Sequence, residues 1–159
     1  MRNGPLATAK AGAQSRAARA TEDIIMKGSC LCGSVTYEID PPLALFQYCH
    51  CSRCRKVSGS AHAASLFVAP SQFRWLTGEA DVARFEPTGA KYYASCFCTT
   101  CGSSLPWLVQ GGRNVVVPAG TLDDDPELRP RGHIYWDSKA PWYHEVDALE
   151  HWEQLPPRR

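Results

Sequence analysis

Residues 48–58, YCHCSRCRKVS, contain three cysteines with the spacing C-x-C-x-x-C. The other five cysteines form two further groups: Cys30 and Cys32, and Cys96, Cys98 and Cys101. Core packing does not explain eight cysteines in three tight groups, because a free cysteine in a core needs no close thiol neighbour. The pattern predicts that the fold is organised around two bound metal ions.

A disulfide framework is the main alternative to metal binding. Such frameworks usually follow a secretory signal peptide, and residues 1–21 contain no apolar segment of that kind. In an extended C-x-C pair both side chains point to one face, with Cα atoms about 6–7 Å apart. This geometry disfavours a bond between the two sulfurs and suits two ligands on one ion, so we interpret the cysteines as metal ligands.

Length and charge restrict the class of protein. The chain has 159 residues, enough for one domain with a substantial core, and a formal net charge of +1. Nothing in this charge balance indicates binding to nucleic acid or to a membrane surface. No apolar run approaches the roughly 20 residues of a transmembrane helix. We expect a cytoplasmic protein with neither nucleic acid nor membrane as a partner.

The first 25 residues differ in composition from the rest of the chain. They are rich in alanine and arginine and contain no acidic residue before Glu22. Without apolar periodicity, residues 1–25 are predicted to be a disordered or frayed tail. The composition is also typical of a transit peptide, but we favour an over-long start with Met26 as the true first residue. Residues 26–155 are predicted to form a single zinc-binding domain.

Short apolar or alternating stretches predict a mainly β domain of short antiparallel strands. The clearest stretch is SVTYEI at residues 34–39, in which alternate residues are apolar. Further strands are predicted at residues 43–48, 63–69, 82–85, 92–97, 105–109, 114–117 and 133–136. Helical turns are predicted directly after Cys54, ended by Gly59, and at residues 121–128.

Four cysteines are predicted to form a closed structural zinc site. Such a site takes four thiolate or imidazole ligands from two rigid corners. Cys30 and Cys32 provide one corner, and Cys98 and Cys101 provide the other. Because these corners are distant in the sequence, metal binding would close a long loop and become part of folding.

Cys49, Cys51 and Cys54 remain for a second ion. Three protein ligands with a free fourth position are typical of catalytic zinc. Three basic side chains accompany this group in the sequence: Arg53, Arg55 and Lys56. They either bind the carboxylates of a small anionic ligand or are ordinary solvent-exposed charges.

The eighth cysteine, Cys96, has three possible roles. It lies two residues before Cys98, so along a strand both side chains point the same way. We favour an inert buried thiol. The alternatives are a ligand of the first site and the fourth ligand of the second site. The last possibility would close the second site and remove its chemistry.

The histidines and tryptophans are interpreted as structural. His50 lies between Cys49 and Cys51, so in a strand its ring points away from the metal and supports the site without ligating it. His62 and His133 are interpreted as core or surface histidines. Three tryptophans are assigned to the core because of the apolar area each can bury: Trp107, Trp136 and Trp142.

Four motifs in this order resemble the glutathione-dependent formaldehyde-activating enzyme family, also called the centromere protein V family. They are KGSCLCGSVTYEI at residues 27–39, YCHCSRCRKVSGS at 48–60, FCTTCGSSLPW at 97–107 and HIYWDSKAPWY at 133–143. The resemblance extends over residues 26–155. Cys96 departs from the family pattern, in which this place more often holds a residue other than cysteine.

The resemblance implies a β-rich fold of the β-tent kind with two zinc ions per chain. It implies one zinc on the four-cysteine set and a second on Cys49, Cys51 and Cys54, in agreement with the grouping by spacing. It also implies that a glutathione-like thiol binds near the second zinc and adds reversibly to formaldehyde or a related aldehyde. This is S-hydroxymethylglutathione synthase chemistry, formally a carbon–sulfur lyase reaction in reverse.

Two functions follow from these observations. The first is an enzyme in which Cys49, Cys51 and Cys54 hold an open zinc and Arg53, Arg55 or Lys56 hold a thiol's carboxylates. The second is a non-catalytic zinc-stabilised binding module in which both metals are structural. We favour the enzyme, because the second cysteine group provides only three ligands.

Overall fold

Alternating apolar residues produce a mainly β fold in the computed structural model, which describes residues 24–145 and 151–154. The described residues form eleven strands and one α-helix. The strands are β1 (Met26–Ser29), β2 (Thr36–Ile39), β3 (Leu45–Cys49), β4 (Ala63–Val68), β5 (Phe73–Thr77), β6 (Val82–Phe85), β7 (Ser95–Cys98), β8 (Ser104–Leu105), β9 (Trp107–Leu108), β10 (Val115–Pro118) and β11 (His133–Ile134); the helix is α1 (Ser52–Ser58).

The strands form three sheets. The orders are β1-β2-β5, β11-β3-β4-β10-β9 and β6-β7-β8. Among the described strand pairs, only β11 with β3 is parallel, and the others are antiparallel. The expected mainly β fold of short antiparallel strands is therefore confirmed.

The main core lies on one face of the five-stranded sheet. Leu66 and Val68 of β4 and Val115 and Val117 of β10 point into it, because alternate residues of a strand share a face. Residues from the three-stranded sheet β1-β2-β5 complete this core: Met26, Tyr37 and Ile39. The intervening residues of β4 and β10 point to the opposite face, where the main cavity of the protein lies.

A second, smaller core joins the first cysteines of the fold to β7 and β8. Its buried members are Cys30, Val35, Cys96, Cys98 and Leu105. Partly buried hydrophobic side chains pack against it, among them Trp75, Val82 and Trp107. Because Cys30 and Cys98 are predicted metal ligands, we expect metal binding to add to the stability of this part of the protein.

Several predicted elements are confirmed within a few residues, among them β2, β3, β4, β6 and β10. The helical turn after Cys54 is α1, and it ends at Gly59, whose φ of 62° favours glycine. The strand predicted at residues 92–97 is shorter and later, as β7. The prediction missed two strands, β1 and β5, and β5 follows a three-residue 3-10 turn at Pro70–Gln72.

The helical turn predicted at residues 121–128 is wrong, and a 3-10 turn occurs earlier, at Ala119–Thr121. Pro126 disfavours a helical conformation at Asp125, the residue before it. The Asp125 carboxylate then accepts the Glu127 amide at 2.8 Å, a local bond that competes with helix formation.

Two predictions concern the ends of the chain. The tail predicted for residues 1–25 lies almost wholly outside the described residues, as do parts of the end of the predicted domain at residues 26–155. Within the described part of the chain, no helix has the length and apolarity needed to cross a membrane.

Candidate metal centres and cavity

The first cysteine cluster consists of Cys30, Cys32, Cys98 and Cys101, whose Sγ atoms all lie within 4.8 Å of one another. Cys30 Sγ is 3.4 Å from Cys32 Sγ, and Cys32 Sγ is 3.8 Å from Cys98 Sγ. A tetrahedral zinc with Zn–S bonds of about 2.3 Å requires sulfurs about 3.8 Å apart. No cysteine is disulfide-bonded. The first cluster therefore has the donors and the spacing of a closed metal site.

Tight turns hold the first cluster in this arrangement. Gly33 and Gly102 have φ values of 76° and 75°, in the region that favours glycine. The Gly102 amide donates to the Cys98 carbonyl oxygen at 2.9 Å, which closes the turn carrying Cys101. Local sequence thus fixes each corner, and the sheets bring the two corners together.

Hydrogen bonds favour the thiolate form, the form that binds metal, at two cysteines of the first cluster, Cys30 and Cys101. At Cys32, hydrogen bonds to Ser34 lower the pKa, but the side-chain bond to Cys30 and burial raise it on balance. The bond between Cys101 Sγ and Ser103 Oγ, 3.4 Å long, lowers the pKa of Cys101 to about 5. Burial raises the pKa of Cys30. The Val35 amide, which donates to Cys30 Sγ at 3.3 Å, and neighbouring side chains outweigh this and bring the pKa to about 7.

The second cluster consists of Cys49, Cys51 and Cys54, also with Sγ atoms within 4.8 Å of one another. Cys49 ends β3, and Cys51 caps the amino terminus of α1, where its Sγ accepts the Cys54 amide at 3.4 Å. A hydrogen bond from the Cys54 thiol lowers the pKa of Cys49 to about 6, and the same bond raises the pKa of Cys54. This cluster brings together three sulfur ligands.

A cavity of about 810 Å³ adjoins the second cluster, and all three of its cysteines line the cavity. No cysteine of the first cluster does so. The volume lies within the range of about 300–1,000 Å³ that is common for small-molecule sites. Of the two clusters, the second is the one that adjoins this cavity.

The structure separates the three basic residues that the sequence grouped together. Arg53 lines the cavity, and its guanidinium lies 5.8 Å from the ring centroid of Tyr93, which also lines it. Arg55 and Lys56 do not line the cavity, and Arg55 Nε donates to the His50 carbonyl oxygen at 3.3 Å. The grouping missed Lys91, a cavity residue from a distant part of the chain that no local motif marks.

Burial raises the pKa of Tyr93, and the nearby cysteines of the second cluster raise it further. Its hydroxyl therefore keeps its proton at neutral pH. Tyr93 packs against Trp107, with ring centroids 5.2 Å apart. Trp107, which we assigned to the core, packs against the smaller core and also lines the cavity.

Cys96 belongs to neither cluster. It is 6% exposed, lines the cavity and lies opposite Arg84 on the neighbouring strand. Burial raises its pKa more than Arg84 lowers it, so it remains a thiol. This geometry favours the inert buried thiol over a fourth ligand of the second site.

Three histidines cluster behind the second cysteine cluster. His50 is fully buried, and its Nε2 lies 2.8 Å from Nδ1 of His133. The His62 ring centroid is 5.1 Å from that of His50. Burial lowers the pKa of His50, and the neighbouring His62 and His133 lower it further. None of the three lines the cavity, which agrees with a non-ligand role for His50.

The two remaining tryptophans are more exposed than predicted. Trp142 is 66% exposed and Trp136 is 37% exposed. The assignment of Trp142 to the core is wrong, because in this turn Ala140 is the residue that is fully buried. Trp136 instead packs edge-on against His50, with ring centroids 5.0 Å apart.

Comparisons with known proteins identify the family of this chain. The sequence profile of the family described as glutathione-dependent formaldehyde-activating enzyme matches residues 25–138. A Halomonas elongata protein that carries this family description in its name is 28% identical over 138 residues, covering 80% of this chain and 84% of that protein. The crystal structure of a Rhodobacter sphaeroides protein has a TM-score of 0.54 at 24% identity, over 68% of this chain and 99% of that one. The last comparison supports the fold alone.

Proposed function

Because the chain belongs to the glutathione-dependent formaldehyde-activating enzyme family, we propose that it adds a glutathione-like thiol reversibly to formaldehyde or a related aldehyde. The reaction class is that of a carbon–sulfur lyase, like S-hydroxymethylglutathione synthase. One observation carries this proposal: the three-cysteine cluster opens onto a cavity of small-molecule size, whereas the four-cysteine cluster does not.

We assign two zinc ions to the chain. The donor sets fit, since four and three unbridged thiols each converge within 4.8 Å and several of them have lowered pKa values. The first cluster would hold a closed structural ion, and Cys49, Cys51 and Cys54 would hold the second ion with a fourth position free. The second zinc would favour the thiolate, the nucleophilic form, of a substrate thiol that binds at this free fourth position.

The chain's own side chains bind and orient the reactants. Arg53 and Lys91 are exposed residues of the cavity lining and can pair with the carboxylates of a glutathione-like thiol. Tyr93 lines the same cavity with a protonated hydroxyl, which can donate a hydrogen bond to the aldehyde oxygen.

The overall reaction needs no further reactant. The thiol sulfur forms a bond to the carbonyl carbon, the electron pair of the C=O π bond moves to oxygen, and the thiol proton ends on that oxygen. The reverse reaction breaks the same carbon–sulfur bond.

The proposal includes a reducing location. Eight unbridged cysteines, seven of them in clusters suited to metal, are compatible with the cytoplasm, where thiols stay reduced. The partner is a small-molecule thiol, and we propose neither a nucleic acid nor a membrane as a partner.

Metal content and a thiol titration test this function. We expect two zinc ions per purified chain and, after cobalt substitution, a change in the thiolate–cobalt absorption when glutathione is added. Cys51→Ser should retain one metal and lose the response to glutathione. Two metals with no response to glutathione would instead support the alternative, a non-catalytic zinc-stabilised binding module.

A further inference from the structure

The cavity has an apolar floor that extends well beyond the second cysteine cluster. The floor is formed by Ala63, Ser65 and Phe67 of β4, Val116 of β10 and Trp107 of β9. These residues share one face of the five-stranded sheet, since Val116 pairs with both Phe67 and Trp107. The alternate residues of β4 and β10 fill the main core on the other face. The floor is thus a rigid sheet surface and not a loop.

The strand register gives the floor its length. Cys49 lies opposite Ala63, and Ser65 and Phe67 follow at two-residue intervals on the same face. Each interval is about 6.6 Å along a strand, so Phe67 lies about 13 Å along β4 from the residue that faces Cys49. The side chains of the floor nearest the cysteines are small, and the large Phe67 side chain lies farther along β4.

This floor does not match the charged parts of glutathione. At neutral pH glutathione carries two carboxylates and an ammonium group, which are costly to bury without partners. Among the described residues that line the cavity, none is acidic, and its cations, Arg53 and Lys91, are exposed at the rim. The charged ends of the thiol therefore belong at the rim, and formaldehyde, with one carbon, would leave the floor empty.

We propose that the carbonyl substrate is an aldehyde with a medium-length alkyl chain or an aromatic ring, and that this substituent packs on the floor. This inference rests on the proposed function and specifies its substrate. The product is the hemithioacetal, in which the thiol sulfur is bonded to the former carbonyl carbon and the proton has moved to oxygen. The apolar substituent remains on the floor throughout.

A ligand series on the unaltered zinc-loaded protein tests this substrate class without turnover. S-methylglutathione and S-hexylglutathione mimic the adducts of a small and a large aldehyde, and their dissociation constants are measured by isothermal titration calorimetry. Burial of each methylene should improve affinity about three- to fourfold. We expect the hexyl derivative to bind on the order of a hundredfold more tightly or better.

A substitution in the floor tests whether the hexyl group gains its affinity there. Val116→Phe fills the cavity and should remove most of the advantage of the hexyl over the methyl derivative. It should also lower the ratio of kcat/KM for hexanal to kcat/KM for formaldehyde at least tenfold. Leu108→Phe is the matched control, because Leu108 lies beside Trp107 on β9, is 42% exposed and does not line the cavity.

The outcomes separate the two proposals. Equal affinity of the methyl and hexyl derivatives would overturn the apolar substrate and leave the thiol-binding function standing. Failure of glutathione and both derivatives to bind would overturn the proposed function and this inference with it. If Val116→Phe does not fold, the ligand series on the unaltered protein still decides.

Discussion

Cys96 illustrates how one spacing produces two different outcomes. The pattern C-x-C-x-x-C occurs twice, but only in the first copy do all three thiols converge. In the second copy Cys98 and Cys101 pair with Cys30 and Cys32, and Cys96 remains farther back on β7. The sequence could not decide this, because the choice of partner depends on the docking of a segment 66 residues away.

We expect Cys96→Ser to retain two zinc ions per chain. The change puts a hydroxyl in the place of a buried thiol and should lower the free energy of unfolding by about 1–2 kcal/mol. Metal analysis and urea denaturation measure the two effects. Cys51→Ser is the comparison and should lose one zinc. Loss of one zinc from Cys96→Ser would show that Cys96 is a metal ligand. As the fourth ligand of the second ion, Cys96 would leave that ion without a free position.

Arg53 and Arg55 provide a matched pair of cations on α1. Only Arg53 lines the cavity, so Arg53→Gln should raise the dissociation constant of glutathione about fivefold to tenfold, a modest loss because the side chain is exposed to solvent. Arg55→Gln should change it less than twofold. Titration calorimetry at low salt measures both. Equal effects of the two substitutions would contradict the assignment of Arg53.

At the scale of elements, the short strand β11 joins two distant parts of the chain. This strand of two residues pairs in parallel with β3 and brings His133 beside His50, 83 residues away. The sequence predicted a strand at residues 133–136, but not its partner or direction. A two-residue strand carries too little apolar pattern to specify a register. The histidine cluster was therefore missed, and the expectation that His50 supports the metal site without ligating it stays a prediction.

His133→Phe tests how far this pairing supports the second cluster. Phenylalanine preserves a ring beside Tyr48 but leaves His50 Nε2 without its present partner. The free energy of unfolding should fall by about 1–3 kcal/mol, the cost of an unsatisfied buried polar group. Urea denaturation of the zinc-loaded protein measures this fall. His144→Phe, at an exposed position of the same segment, should be near neutral. Equal stability of both variants would show that the histidine pair does not hold β11 in place.

For the whole molecule, the metal sites were far easier to predict than the cavity. The spacing of Cys49, Cys51 and Cys54 is local, and their convergence follows from a strand end and one helical turn. The pairing of the two distant corners was predicted from the cysteine spacing, and the resemblance to the family, confirmed by the profile match, implies the same pairing. The cavity depends on β4, β10 and β9 lying side by side, and strand order is set by long-range pairings that no motif encodes. Apart from the three cysteines and Arg53, its lining residues therefore had no signal in the sequence.

The first cluster joins the two three-stranded sheets through four cysteines. Cys30 and Cys32 follow β1, and Cys98 and Cys101 end and follow β7. Structural zinc contributes about 10–16 kcal/mol of binding free energy in peptide models, as much as the whole stability of a typical domain. We therefore expect Cys98→Ser to unfold the domain, seen as loss of β-sheet circular dichroism and of both zinc ions. Cys51→Ser should retain the β-sheet signal and one zinc. If Cys51→Ser unfolds as completely as Cys98→Ser, both ions are structural and the division into a closed and an open site is wrong.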